Sequence, residues 1–156
     1  MPIVTLALDQ ALRTTGWAVF QGDQLAEWGS FTVPTDKDMG NRLTLFTKNV
    51  NDLIEKHSPN IVCLEDIQDQ SNIGTFKILA FVQAAGLILC SQKGLEVKVL
   101  PPSHWRKVLG GGFGRKRDEQ KQKAIELVKS RFGIEVESDV ADAICIGLAC
   151  VEENKA

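Results

Sequence analysis

Two short apolar runs, each closed by an acid, constrain this chain more than any other feature. Ile3-Val4-Thr5-Leu6-Ala7-Leu8 ends on Asp9, and Ile61-Val62-Cys63-Leu64 ends on Glu65. Both runs read as buried strands. An acid directly after a buried strand is poorly solvated, and burying its charge is costly unless something compensates. Two further acids, Asp139 and Asp142, lie three residues apart in a helix-like segment near the C-terminus. Acids of this kind meeting at one place point to a bound cation.

The segments between these runs set the rest of the fold. Thr15 to Phe20 and Leu25 to Val33 read as strands, with a turn at Asp23. Three strands with short connections predict an antiparallel meander. Leu43, Phe46, Val50, Leu53 and Ile54 repeat at helical spacing between Met39 and His57, and Pro59 ends that helix. After the strand at 60–65 comes a polar loop from Asp69 to Asn72, then a helix over 73–92 that is apolar almost all round. Such a helix is covered on more than one side, and a second subunit can supply the second cover.

A strand at Val97–Leu100 follows, then a short helix from Pro101 to Leu109 and a glycine loop, Gly110-Gly111-Gly112-Phe113-Gly114. Arg115-Lys116-Arg117 leads into a helix from Asp118 to Phe132. Ser138 is the expected N-cap of a last helix running to Glu153. The order β-β-β-α-β-α-β-α-α-α gives an α/β chain with five strands. Its 156 residues fit a single domain, 1–156, with a real core.

Composition narrows the function classes. The net charge is only −2, yet the window from His104 to Arg131 holds nine Lys/Arg against three Asp/Glu. That window carries +6 and the remainder −8. A solvated helix face explains this separation, and so does a basic surface for a polyanion with acids grouped elsewhere. Cys63, Cys90, Cys145 and Cys150 lie in apolar surroundings without a CxxC pair, and His57 and His104 lie near none of them. Zinc is therefore not expected, and buried thiols in a reducing cytoplasm are. Met1-Pro2 opens without a basic leader region. The longest apolar stretch, Ile78 to Cys90, is shorter than the roughly 20 residues of a membrane span.

Taken singly, the acids have plain explanations. Asp139 suits a helix N-terminus, Asp9 suits a turn over Gln10 to Thr15, and Glu65 suits a lysine partner. Asp142 is harder to explain so, because Cys145, Ile146 and Ala149 continue its helix face. Together, two strand-end acids and an i, i+3 acidic pair offer the oxygen ligands that hard divalent cations prefer. A pair of such cations can activate a water and stabilise the leaving oxygen of a phosphodiester.

The motifs Leu6-Ala7-Leu8-Asp9 with Thr15-Gly16-Trp17-Ala18-Val19, Cys63-Leu64-Glu65-Asp66 and Ser138-Asp139-Val140-Ala141-Asp142-Ala143 occur in order along the whole chain. With Gln83-Ala84-Ala85-Gly86 and the glycine loop before a basic stretch, the chain resembles the RuvC-type Holliday junction resolvases, bacteriophage members above all. These belong to the RNase H-like, or retroviral integrase, superfamily. The resemblance implies an RNase H-like fold, a mixed five-stranded sheet flanked by helices with its first three strands antiparallel. It implies that Asp9, Glu65, Asp139 and Asp142 bind Mg²⁺, or Mn²⁺ in its place. It also implies a homodimer through helix 73–92 that nicks opposing strands of a four-way junction, in recombination and repair.

Basic residues near the scissile region are expected at Lys107, Lys116 and Lys121, with Lys107 and Lys121 taking part in catalysis. DNA contacts are expected from Arg106, Lys107, Phe113, Arg115, Lys116, Arg117 and Lys121. The glycines around Phe113 suggest an exposed ring able to stack on bases, whereas Trp105 is expected in the core. No membrane and no nucleotide cofactor are implied, and the expected location is a bacterial or phage-infected cytoplasm.

Two departures bear on specificity. Asp9-Gln10-Ala11 stands where the family often has Asp-Pro-Gly. Ile67-Gln68-Asp69 stands where bacterial members place an aromatic after the second acid. Without that ring, broader action on branched DNA is expected. Competing readings are a junction-binding protein without catalysis, a nuclease acting on RNA–DNA hybrids, and an actin-like ATPase or sugar kinase. Against the last, Gln10-Ala11-Leu12-Arg13 lacks the glycine that lets backbone approach phosphate.

Overall fold

The computed structural model describes residues 2–68 and 72–155. Five strands form one sheet: β1 (Val4–Asp9), β2 (Thr14–Gln21), β3 (Gln24–Thr32), β4 (Ile61–Glu65) and β5 (Glu96–Leu100). Their order across the sheet is β3-β2-β1-β4-β5. The β1–β2 and β2–β3 pairs are antiparallel; β1–β4 and β4–β5 are parallel. The first apolar run is thus the central strand. Thr5 to Leu8 are essentially without solvent contact, as expected where both faces of a strand are covered. The sheet is the mixed, five-stranded one expected.

The alternation along β1 divides the core in two. Leu6 and Leu8 point to one layer with Val19, Val62 and Leu64. There they meet α1 (Met39–His57) through Phe46, Val50 and Ile54, and α2 (Ile73–Gln92) through Val82 and Cys90. Ala7, Ala18 and Cys63 point the other way, toward α5 (Ser138–Asn154). Behind α5 lie α3 (Pro102–Val108) and α4 (Arg117–Phe132). Ile144, Ile146 and Leu148 of α5 are buried, each contributing on the order of 2 kcal/mol from apolar area alone.

Helix α5 lies directly on the sheet because glycines leave room for it. A Cβ on Gly147 would fall 2.6 Å from the Phe20 ring and 3.1 Å from Ala7 Cβ. A Cβ on Gly16 would fall 2.0 Å from the Asp139 carbonyl oxygen. Gly16 is the β2 partner of Asp9. The first turn of α5 is therefore pressed against the strand end that carries the first acid.

Three details differ from expectation. Glu137, not Ser138, is the N-cap of α5; Ser138 is already helical, and no side chain caps that end. The cap falls one residue early because Glu137 has the extended backbone (φ −72°, ψ 162°) that a helix entry needs. Second, α2 spans the expected residues 73–92, but its apolar character reaches beyond Ile78 to Cys90. By length and composition alone it could cross a membrane, which the shorter stretch from Ile78 to Cys90 did not suggest. Third, this chain covers only one strip of α2, at Val82, Gly86 and Cys90. Ile73, Phe76, Ile78, Phe81 and Ile88 remain exposed, Ile73 to 82 %. Of the expected polar loop, residues 69–71 lie outside the described residues.

Candidate active site

The four acids come together at one end of the sheet. Asp9 ends β1, and Glu65 ends the parallel neighbour β4. Asp139 enters with the turn of α5 that rests on Gly16, and Asp142 follows one turn on. All four are half-buried. Burial holds the Asp9 carboxyl well above the usual carboxylate range, and the charges of Glu65, Asp142 and Asp139 push it further; Lys121 opposes them. Burial likewise raises Asp142, to about 7, with Glu65 and Asp139 adding to the rise and Arg106 and Lys121 opposing it. Burial raises Glu65 as well, against the Trp105 hydrogen bond and the Arg106 charge.

Among the described residues, no three Asp, Glu, His or Cys side chains close into a finished ligand cage. The acids are near enough to feel one another's charge. The donor set is all carboxylate, the chemistry a hard divalent cation requires. All four cysteines are buried thiols, as expected. Burial pushes the Cys90 thiol up to about 11, so it stays protonated and a poor soft-metal ligand.

Two of the expected basic residues reach the acids. Lys121 of α4 is half-buried and acts on Asp9 and Asp142. Arg106, expected only as a DNA contact, acts on Glu65 and Asp142. Its guanidinium lies over the Trp105 ring, 5.0 Å from the centroid, and its Nε is buried without a hydrogen-bond partner among the described residues. Lys107 is exposed on α3, and Arg115, Lys116 and Arg117 are exposed where the glycine loop enters α4.

Phe113 is a correction. It is buried, 4 % exposed, and packs edge-on against Trp105 with ring centroids 5.5 Å apart. Gly110, Gly111, Gly112 and Gly114 all have φ between 69° and 101°. That left-handed backbone folds the loop back onto the core and tucks the ring inside. A free ring for stacking on bases is therefore not available at Phe113.

Two site residues escaped sequence reasoning. Trp105 is in the core as expected, yet its indole Nε1 also donates to Glu65 Oε2 at 2.9 Å. Gln10 donates from Nε2 to the Glu65 carbonyl at 2.6 Å and accepts at Oε1 from the Glu65 N–H at 3.1 Å. The signal for Gln10 was its departure from Asp-Pro-Gly; for Trp105 it was a polar handle that a buried indole must satisfy.

The family model for the crossover junction endodeoxyribonuclease RuvC matches residues 5–150. Among curated relatives, RuvC of Dictyoglomus thermophilum is 26 % identical, covering 98 % of this chain and 99 % of its own length. RuvC of Rickettsia akari is 27 % identical, covering 95 % and 96 %. A solved structure of Thermus thermophilus RuvC in complex with a Holliday junction substrate superposes with a TM-score of 0.83. It shares 15 % identity and covers 98 % of this chain and 95 % of that one, so the fold is the RNase H-like one of that protein. With the four acids gathered at one end of the sheet and the family model matching nearly the whole chain, this chain belongs to the RuvC family of crossover junction endodeoxyribonucleases.

Proposed function

We propose that this chain is a Mg²⁺-dependent endonuclease that resolves Holliday junctions and other branched DNA by paired nicks, working as a homodimer through α2. The observation that carries the reading is the site of Asp9. It is a half-buried carboxylate at a strand end beside Glu65 and the α5 turn that rests on Gly16, with three more carboxylates acting on it and one lysine opposing them. Such an assembly is unfavourable by itself, and a divalent cation is the natural compensation.

Asp9, Glu65, Asp139 and Asp142 would hold the metal, with Mn²⁺ as a substitute for Mg²⁺. When bound, the ion supplies the charge that activates a water and stabilises the leaving oxygen of a phosphodiester. The remaining roles belong to the chain itself. Lys121 and Arg106 bring positive charge to the acid cluster, where an incoming phosphate needs it. Lys107, exposed on α3, contacts the flanking backbone.

Arg115, Lys116 and Arg117 crowd the N-terminal end of α4, where the helix dipole already disfavours cations. Their cost to the fold makes sense as attraction for phosphate, which both the dipole and the side chains favour. Ile67 and Gln68 follow Glu65 without an aromatic ring, which supports recognition of branch shape over sequence. Asp69 lies outside the described residues. The exposed apolar row on α2 supports the dimer, since a patch of that kind calls for a cover.

Incubation with a synthetic four-way junction and Mg²⁺ tests the reading. Paired symmetric nicks are expected, with E65Q losing cleavage but keeping junction binding. Full activity in E65Q would remove the metal-site assignment. Binding without nicking by the natural chain would favour a non-catalytic role, and cleavage of RNA–DNA hybrids alone would favour the hybrid nuclease.

A further inference from the structure

The main-chain ladder between β1 and β4 stops at Leu8 and Leu64. Asp9 and Glu65 lie one residue beyond it. The side chain of Gln10 bridges the two strands there. Its amide gives one N–H to the Glu65 carbonyl at 2.6 Å and takes the Glu65 N–H on its own oxygen at 3.1 Å. A primary amide carries the same donor and acceptor as a peptide. Gln10 thus adds one more rung, built from a side chain, past the end of the β1–β4 ladder. Meanwhile its own backbone turns away, in a turn closed by Thr15 Oγ1 against the Ala11 N–H and carbonyl.

The carboxylate of the same residue is held separately. Trp105 Nε1 donates to Glu65 Oε2 at 2.9 Å, and Trp105 is itself fully buried and braced by Phe113. Glu65 is therefore fixed at its nitrogen, its carbonyl and one carboxylate oxygen. Among the described residues, the carboxylates of Asp9, Asp139 and Asp142 have no comparable hydrogen bond. A glutamate side chain has three rotatable bonds, and repulsion from Asp9 and Asp142 would swing it outward.

We propose that Gln10 and Trp105 are positioning residues for Glu65, Gln10 fixing its backbone and Trp105 its carboxylate, so that the site meets a divalent cation with this ligand already set. This inference rests on the reading of the four acids as the metal site. Neither side chain touches the reacting atoms. Their effect reaches DNA cleavage only through Glu65.

The test uses the full-length protein and the variants Q10M, W105F and E65Q. Q10M keeps the length of the side chain and loses both hydrogen bonds; W105F keeps an aromatic ring against Phe113 and loses the N–H. Mn²⁺ affinity is read without DNA by electron paramagnetic resonance, junction affinity in Ca²⁺, and cleavage under single turnover. Q10M and W105F are expected to weaken Mn²⁺ binding roughly 10- to 100-fold and slow cleavage with it, with junction affinity within about twofold of the natural chain.

Unchanged Mn²⁺ affinity in Q10M and W105F, alongside its loss in E65Q, would overturn this inference and leave the acid site standing. Unchanged Mn²⁺ affinity in E65Q itself would overturn both. Should W105F fail to fold, Q10M decides alone, because Gln10 is only half-buried and outside the apolar core.

Discussion

At Asp142 the fold holds a carboxylate that favours its proton up to about pH 7. The ordinary carboxylate loses it near 4. The folded chain therefore binds that proton more tightly than the unfolded chain. Stability from this group is intact below the unfolded value and drains away as pH rises toward 7. A shift of this size is worth at most about 4 kcal/mol, and less for a half-buried group that water still reaches. In EDTA, D142N should melt higher than the natural chain at pH 8, by on the order of 5 °C, and the gap should shrink at pH 5. Mg²⁺ should raise the melting temperature of the natural chain at pH 8 and do little for D142N. A thermal shift series over both pH values checks this, and an unchanged gap would mean the carboxylate is well solvated.

Helix α5 and strand β2 meet with no side chain between them at Gly16. In G16A the new methyl must displace the Asp139 carbonyl, at a cost of about 1–3 kcal/mol of overpacking. Cleavage is expected to fall at least tenfold at temperatures where circular dichroism still shows the variant folded. At the other basic element, alanine at Arg115, Lys116 or Arg117 should each lower the salt dependence of junction binding by about one unit of slope. Fluorescence anisotropy between low and moderate salt reads this.

The elements themselves were legible in the sequence. The runs ending at Asp9 and Glu65 are short, continuous and apolar, and only a buried strand fits them. The route of the glycine loop was not. Glycines permit a loop to project or to fold back, and the choice is made by the edge-on contact of Phe113 with Trp105, which is close in sequence but takes its place only when the core is assembled. Gln10 was illegible for a related reason. Its side chain matters because the ladder stops at Leu8 and Leu64, and where a ladder stops is a property of two strands.

For the whole molecule, the row Ile73, Phe76, Phe81 and Ile88 on α2 bears on assembly. Two copies joined there would hold two sets of acids on a two-fold axis, which matches paired cuts in a symmetric junction. An aspartate at Phe81 or Ile88 should yield a folded monomer by sedimentation. On a supercoiled cruciform plasmid that monomer should leave nicked circles where the natural chain leaves linear product. A variant that stays dimeric would place the contact elsewhere.

A seam at that row would tie the enzyme to its dose. A lone copy carries all four acids and leaves the apolar row exposed, so dilution would dismantle a dimer that cuts both strands together. If the strip is the seam, specific activity falls on dilution below the dissociation range of the dimer instead of staying constant. Scarce copies would then remain separate, and a junction would be severed in full only where the protein has accumulated.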